Sequence, residues 1–211
     1  MRTQGNLNVI GDSALSGGSF DKVRVMGALS LSESLAACHI TVVGDLQSAG
    51  PITCDELRVA GTARMGRLAV RKKASVMGQV AADNIEAEAF EIRGEVVCRN
   101  NLECKELKVL GAVDVENLLS ADWLFIKTKY LCRAAEIGGK SLKVRPALLS
   151  GKIVLSAQII EFDEIDIDCV QAEIVRGRNI VIGKNCRIGK VEYIDSLTQH
   201  PEAHVARAVL I

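Results

Sequence analysis

The sequence has few aromatic residues, and this scarcity limits the kind of core that it can build. Only 3% of its 211 residues are aromatic, namely four Phe, two Tyr and one Trp. Large rings usually supply much of the buried area of a globular core. Because 48% of the residues are nevertheless hydrophobic, the core must be filled by small aliphatic side chains, which suits a narrow interior.

Other absences narrow the class of protein. The 26 basic residues balance the 26 acidic residues, so the chain has no basic footprint for binding nucleic acid. It contains no run of 18 apolar residues, which argues against a transmembrane helix. Residues Met1 to Asn6 lack the apolar core of a signal peptide. We therefore expect a cytoplasmic protein.

The cysteines show neither the pairing nor the spacing of a metal site. They form no CxxC pair and no Cys/His cluster with zinc-ligand spacing. An odd number without a secretion signal favours reduced thiols. We interpret them as small core residues and predict neither a metal nor a cofactor. The seven are Cys38, Cys54, Cys98, Cys104, Cys132, Cys169 and Cys186.

An apolar-x-apolar-x-Gly motif recurs from Leu7 to Gly111. Its period of about 17 residues is too short for leucine-rich or helical repeats, which need roughly 20 residues or more. We predict that each glycine turns a corner of the chain with a positive φ. The motif glycines follow one another at nearly constant intervals, at Gly11, Gly27, Gly44, Gly61, Gly78, Gly94 and Gly111.

Each repeat also contains three pairs of apolar residues, and the two members of a pair are two positions apart. Such pairs indicate short strands whose side chains alternate between two faces. Three strands per repeat predict an all-β, three-sided parallel β-helix, in which each strand pairs with its equivalents about 4.8 Å above and below. In the second repeat the pairs are Val23/Val25, Leu29/Leu31 and Leu35/Ala37.

The alternation continues beyond the last motif glycine and predicts the extent of the coil. It persists to about Ile194, which gives about ten or eleven turns of roughly 16–18 residues. Pro201 and two histidines interrupt the pattern afterwards. We therefore divide the chain into a short lead over residues 1–6, a β-helix over 7–195, and a tail or cap over 196–211.

These repeats resemble the bactofilins, the polymer-forming cytoskeletal proteins of bacteria. The resemblance rests on the V-x-G turns from Leu7 to Gly111 and on their continuation to about Ile194. The run from Glu173 through Gly183 to Tyr193 is similar to the variant found in Gram-positive bacteria. The resemblance implies a right-handed coil that polymerises end to end without nucleotide.

The resemblance also implies a cellular role and partners. Bactofilin filaments are scaffolds for cell shape, for placing other proteins and, in some bacteria, for motility. The expected partner is the chain itself, together with other bactofilin-like or membrane-associated proteins. The expected location is the cytoplasm, at the inner face of the membrane in members that attach there.

Terminal turns of a β-helix present unpaired backbone groups and apolar interior residues, and such edges favour pairing. We therefore expect a non-enzymatic scaffold whose ends form the polymerisation interface. Its predicted residues are Leu7, Val9, Val23, Val25, Ile182, Ile188, Val191 and Tyr193.

Two alternative functions stay open. Ile182-Gly183 and Ile188-Gly189 resemble the hexapeptide repeat of left-handed β-helix acyltransferases, which need a catalytic histidine. The chain has His39, which we place at a corner, and two more histidines in the predicted tail. The other alternative is a monomeric solenoid that acts as a binding module.

Three surface features complete the prediction. The acidic stretch from Glu161 to Asp168 alternates with isoleucines, so we expect a solvated face rather than a calcium site. The basic stretch from Arg64 to Lys73 is interpreted in the same way. The two stretches suggest charge-guided contacts between filaments. For Trp123, the single indole, the position at a junction between turns favours packing over partner contact.

Overall fold

The computed structural model describes residues 4–147 and 151–211, and the chain in these ranges consists of strands joined by tight corners. None of the described residues is helical. Residues 1–3, half of the predicted lead, lie outside the described ranges. The strands are β1 (Gln4–Val9), β2 (Asp12–Leu15), β3 (Gly18–Val25), β4 (Ala28–Leu31), β5 (Leu35–Val42), β6 (Asp45–Ser48), β7 (Ile52–Val59), β8 (Thr62–Val76), β9 (Gln79–Ile92), β10 (Glu95–Cys98), β11 (Leu102–Val109), β12 (Ala112–Thr128), β13 (Cys132–Pro146), β14 (Leu155–Ile167), β15 (Val170–Ile182), β16 (Arg187–Gln199) and β17 (His204–Leu210).

Parallel pairing joins each strand to the equivalent segment one turn later. Val25 pairs with Val42, and Val42 pairs in turn with Val59, an equal distance further along the chain. The chain thus coils as an all-β parallel solenoid of about 12 turns, which confirms the predicted fold class. At roughly 4.8 Å per turn, the rod is about 55 Å long.

One ladder of stacked apolar residues serves to number the turns. Its members occupy equivalent positions on the same side of the coil, and most of them are buried. From turn 1 to turn 12 they are Leu7, Val23, Ile40, Leu57, Ala74, Phe90, Leu107, Leu124, Leu142, Ile165, Ile180 and Leu197.

Three buried pairs per turn give the coil its three sides, as the apolar spacing predicts. The core of the described residues contains only three buried aromatic rings, Phe20, Phe90 and Phe162. The interior is otherwise filled by Val, Ile, Leu, Ala and Cys. In turn 2, each member of the predicted pairs Val23/Val25, Leu29/Leu31 and Leu35/Ala37 is at most 5% exposed.

The motif glycines stack at one corner of the coil, but the predicted reason for them is wrong. Only Gly11 has a left-handed φ, of 83°. At the other six positions a Cβ atom would lie 1.9–2.0 Å from the carbonyl oxygen of the glycine one turn earlier. Gly61, for example, would clash with the oxygen of Gly44. Close approach of successive backbones therefore requires glycine here.

The glycine ladder ends at Thr128, which follows Gly111 by one turn. The side chain of Thr128 is fully buried, and its Oγ1 donates a hydrogen bond to the Gly111 carbonyl oxygen at 2.7 Å. Oγ1 also accepts a hydrogen bond from the backbone N–H of Tyr130 at 3.1 Å. A side chain therefore takes the place of the glycine and satisfies the free backbone groups of the corner.

The coil is less regular after this corner and extends further than predicted. Leu142 and its partner Ile165 are separated by the longest interval in the numbering ladder, whereas Ile165 and Ile180 are separated by the shortest. Strand β16 continues to Gln199, and β17 pairs with β16 in parallel. Residues 196–211 thus form a further turn of the coil, which raises the number of described turns above the predicted ten or eleven. The alternation survives Pro201 because that residue lies at a corner between the two strands.

Candidate assembly interface

The N-terminal end of the described coil is an open turn. Strand β1 pairs with β3, and no other described strand pairs with the opposite edge of β1. Leu7 packs against the core but is only partly buried. Leu15, which occupies an inward position on the second side, is 38% exposed. The inner surface of turn 1 is therefore available for contact.

The C-terminal end is open in the same way. Within the described residues β17 pairs only with β16. Leu197 and Val205 are partly buried, while Leu210 and Ile211 are 64% and 58% exposed. Because Leu210 pairs with Tyr193 and Val205 with Ile188, these two residues continue the inward ladders, and no other described turn covers them.

The predicted interface residues divide into an end set and a core set. Leu7 and Val9 lie in turn 1, and Val9 is 3% exposed. Tyr193 is partly buried under β17. The other five are at most 2% exposed, because turn 1 or turn 12 covers them: Val23, Val25, Ile182, Ile188 and Val191. End-to-end contact stays a prediction, and at the C-terminal end the residues that could form it lie one turn further out.

Sequence reasoning missed Leu197, Val205 and Leu210 because it read residues 196–211 as a tail. A signal for them was present, since Ala208 and Leu210 are two positions apart, like the apolar pairs of every earlier turn. The pattern is concealed because the apolar residues from Ala208 to Ile211 are consecutive rather than alternating, and because Pro201 and two histidines precede them.

Trp123 lies on the outside of the rod, contrary to the packing that we predicted. Its side chain is 59% exposed and stands two positions from the half-buried Phe125. The paired residues in the neighbouring turns are small or polar: Glu106 precedes Trp123 and Ser141 follows it. The two rings therefore line an open groove with Lys73, Lys108 and Lys143 around it.

Three carboxylates of the acidic stretch are paired with basic residues of neighbouring turns. Arg145 binds the carboxylates of both Asp166 and Asp168. Glu161 accepts a hydrogen bond from Arg176 Nη1 at 2.8 Å. No group of acidic, histidine or cysteine side chains able to hold a metal ion occurs among the described residues. The carboxylates thus link successive turns.

The predicted basic cluster does not form a single patch. Arg67 pairs with Glu86, and Asp55 accepts contacts from both Arg71 and Lys72. The chain turns a corner within β8, so Arg64, which pairs with Gln47, lies on a different side of the rod. Most of this positive charge is therefore neutralised between turns.

The three histidines occupy opposite parts of the rod. His39 is outward-facing in β5, with its Nε2 atom 3.9 Å from a carboxylate oxygen of Glu56. His200 and His204 flank the corner between β16 and β17. Most of the length of the rod separates His39 from the other two, so they cannot act at one site within a single rod.

Burial raises the pKa of the interior thiols. The pKa of Cys54 is raised to about 12, and that of Cys98 to about 11, mainly because both side chains are desolvated. Cys132 and Cys186 behave in the same way, each with a pKa of about 11. A thiolate is the reactive form of cysteine, so these groups are poor nucleophiles inside the coil.

Comparison with known proteins gives two relatives. The chain is 36% identical over 99 residues to the uncharacterized protein YhbE of Bacillus subtilis (strain 168). These aligned residues cover 43% of this chain and 42% of YhbE. It is 38% identical over 63 residues to the uncharacterized protein YhbF of the same organism. These aligned residues cover 28% of this chain and 26% of YhbF. The matches therefore span less than half of each relative.

No family model matches the chain, and no solved structure is significantly similar to it. Within the described residues there is no helix with the length and apolar character needed to cross a membrane.

Proposed function

We propose that this chain is a non-enzymatic scaffold that assembles end to end into filaments without nucleotide. The observation that carries the proposal is the pair of open terminal turns. Each presents inward apolar residues, such as Leu7 at one end and Leu210 at the other, next to a strand edge that no other described strand pairs with. The resemblance to bactofilins adds a role in cell shape or motility.

The energies of end-to-end contact support assembly. Half-burying about six inward side chains contributes about 5–9 kcal/mol, at roughly 1.5–3 kcal/mol for each full burial. Association costs about 4–15 kcal/mol. Backbone hydrogen bonds across the junction add about 0.5–1.5 kcal/mol each. The sum favours association if the strand edges pair across the junction.

Electron microscopy of the purified chain without nucleotide tests the proposal. Filaments whose width equals one rod support it. Compact trimers would instead indicate a hexapeptide-type transferase, and single rods at all concentrations would indicate a monomeric binding module. The binding module is the second candidate function, because the exposed rings of Trp123 and Phe125 offer a surface for a partner.

End variants separate assembly from folding. Leu7→Arg and Leu210→Arg place a charge in the contact while the rest of the coil stays intact, so we expect folded rods that no longer form filaments. Gln47→Arg introduces the same charge on an exposed side and should leave filaments unchanged. Circular dichroism verifies that all three variants are folded. Normal filaments of both end variants would refute the proposal.

The two end variants also report how the ends meet. If unlike ends pair, each variant alone remains a single rod, and mixing the two yields pairs. If like ends pair, each variant alone yields pairs through its intact end. Sedimentation velocity distinguishes these outcomes.

A further inference from the structure

An exposed apolar row runs along the corner that contains the glycine ladder. One residue per turn, immediately before each glycine, points to solvent there. Ile10 is 78% exposed, Val43 52% and Met77 61%. Arg93 interrupts the row in turn 6. We call this row the corner ridge; its members in turns 1–5 and 7 are Ile10, Met26, Val43, Ala60, Met77 and Leu110.

Two strips of opposite charge flank the corner ridge. On one side, two positions before the ridge, lie the exposed Arg24, Arg58 and Lys108; the equivalent residue of turn 6, Glu91, is paired with Arg93. On the other side, two positions after it, lie the exposed Asp12, Asp45 and Glu95. Within the described part of the chain, none of these six side chains forms an ion pair; Glu95 accepts a hydrogen bond from Gln79.

We propose that the corner ridge is a lateral contact with a second copy of this chain, and that the two rods lie parallel. A two-fold axis along the rods brings the basic strip of each copy opposite the acidic strip of the other. In an antiparallel pair, basic strips would face each other. Charge complementarity therefore selects the parallel arrangement.

The positions of the charges fit this arrangement. Each basic residue lies one turn after an acidic one: Arg24 after Asp12, Arg58 after Asp45 and Lys108 after Glu95. Long basic side chains span one turn within the molecule, since Lys105 Nζ lies 2.7 Å from a Glu88 oxygen of the preceding turn. Three such contacts can form on each flank of the pair.

The corner ridge of one rod is too small to hold two isolated rods together, so stable lateral contact requires filaments. Its six side chains offer only a few hundred Å², whereas stable interfaces bury about 800 Å² per partner. Two isolated rods would therefore associate weakly. When rods are joined end to end, the contact repeats along the filament and the weak contacts add. The strength of pairing thus rests on the proposed filament, but its geometry does not.

A second copy fits the charges better than a lipid surface does. An anionic membrane would attract Arg24 and Arg58 but would repel Asp12, Asp45 and Glu95, which lie equally close to the corner ridge. A parallel copy uses both strips.

Charge reversal tests the proposal through filament pairing. Arg58→Glu should abolish most bundling, measured as protein that pellets at low speed, because the new carboxylate would face Asp45 of the other copy. Asp45→Arg should do the same, and the double variant should restore bundling. Loss of bundling in the double variant would overturn the proposal, as would ridge-dependent pelleting with phosphatidylglycerol vesicles. High salt should weaken wild-type bundling.

Cross-linking tests the orientation even where filaments are absent. In a parallel pair Met26 of both copies lies at the same level, so Met26→Cys should give a covalent dimer under mild oxidation. Ser30→Cys, in the same turn but on another side, is the matched control and should not. A dimer with Ser30→Cys alone would overturn the proposal. Single filaments that give no Met26→Cys dimer would refute lateral pairing but not end-to-end assembly. Met26→Cys dimers of rods that form no filaments would refute end-to-end assembly but not lateral pairing.

Discussion

Turns 1–7 and turns 8–12 build the same coil by different means. The first part repeats one glycine at one corner in every turn, because from the second turn onward the backbone there leaves no room for a Cβ atom. The second part has no such ladder. Its corners contain Thr128 and the left-handed Cys169 and Asn185, with φ of 57° and 56°. At this corner, steric exclusion specifies glycine in the first part, whereas hydrogen bonds such as those of Thr128 stabilise the corner in the second part.

The difference extends to the outer surface of this corner. In the first part the corner carries the apolar corner ridge, whereas in the second part the equivalent region carries charges such as Lys127 and Arg145. Arg145 donates hydrogen bonds to the backbone oxygens of Val144 and Asp166, at 2.8 and 3.1 Å. A regular corner can serve as a contact surface along its length. At an irregular corner, the exposed side chains instead bind to groups of their own chain, as Arg145 does.

The largest effect is expected from a methyl group in the glycine ladder. Gly61→Ala places a Cβ atom 2.0 Å from the Gly44 carbonyl oxygen, so successive turns must separate. We expect a loss of about 3 kcal/mol in the free energy of unfolding, at the upper end for overpacking. Urea denaturation measures it. Gly66→Ala, whose nearest neighbour would be 3.6 Å away, should be close to neutral; equal midpoints for the two variants would contradict the steric account.

A smaller effect is expected at the junction between the two parts. Thr128→Val keeps the shape of the side chain but removes the bonds to Gly111 and Tyr130, leaving buried polar groups unpaired. The expected cost is about 1–3 kcal/mol, measured by thermal or urea unfolding. Thr62→Val, at an outward position, is the control with little expected change. If Thr128→Val were as stable as the wild type, the hydroxyl would not be what closes this corner.

The smallest effect is expected from surface ion pairs and concerns pH. A hydrogen bond from Lys190, and then one from Arg176, lowers the pKa of Glu192 below its usual value. The stability from these pairs is therefore present above the unfolded pKa, near 4.5, and is lost as the pH falls through the folded pKa. Acidification to about pH 3 should lower the protection of β16, measured as its hydrogen-exchange rate relative to that of an unfolded chain at the same pH.

Arg176→Ala should reduce this pH dependence without affecting turns 1–7, because each turn contacts only its neighbours. The matched variant in the first part is Arg93→Ala. A hydrogen bond from Arg93 is the largest cause of the lowered pKa of Glu91, so the change should appear in turn 6. Uniform changes in exchange along the rod would show that the two parts do not respond separately.

The sequence predicts most of the coil because inward pairs such as Val23 and Val25 repeat with a fixed period. It locates Gly61 but not the reason for it, since the distance between backbones of successive turns is not visible in one chain segment. The role of Thr128 cannot be predicted, because nothing in the sequence indicates that a threonine takes the position of the ladder glycine. Leu210 is missed because it lies in a run of consecutive apolar residues that shows no alternation.

The location of Trp123 determines which spectroscopic probes can follow this molecule. Its indole is the strongest fluorophore of the chain and stands on the outer wall, whereas the interior contains phenylalanines that emit weakly. Tryptophan emission should therefore change little when the coil melts and should respond to any molecule that covers that wall. Unfolding is better followed by far-ultraviolet dichroism, and fluorescence is free to serve as a sensor of docking.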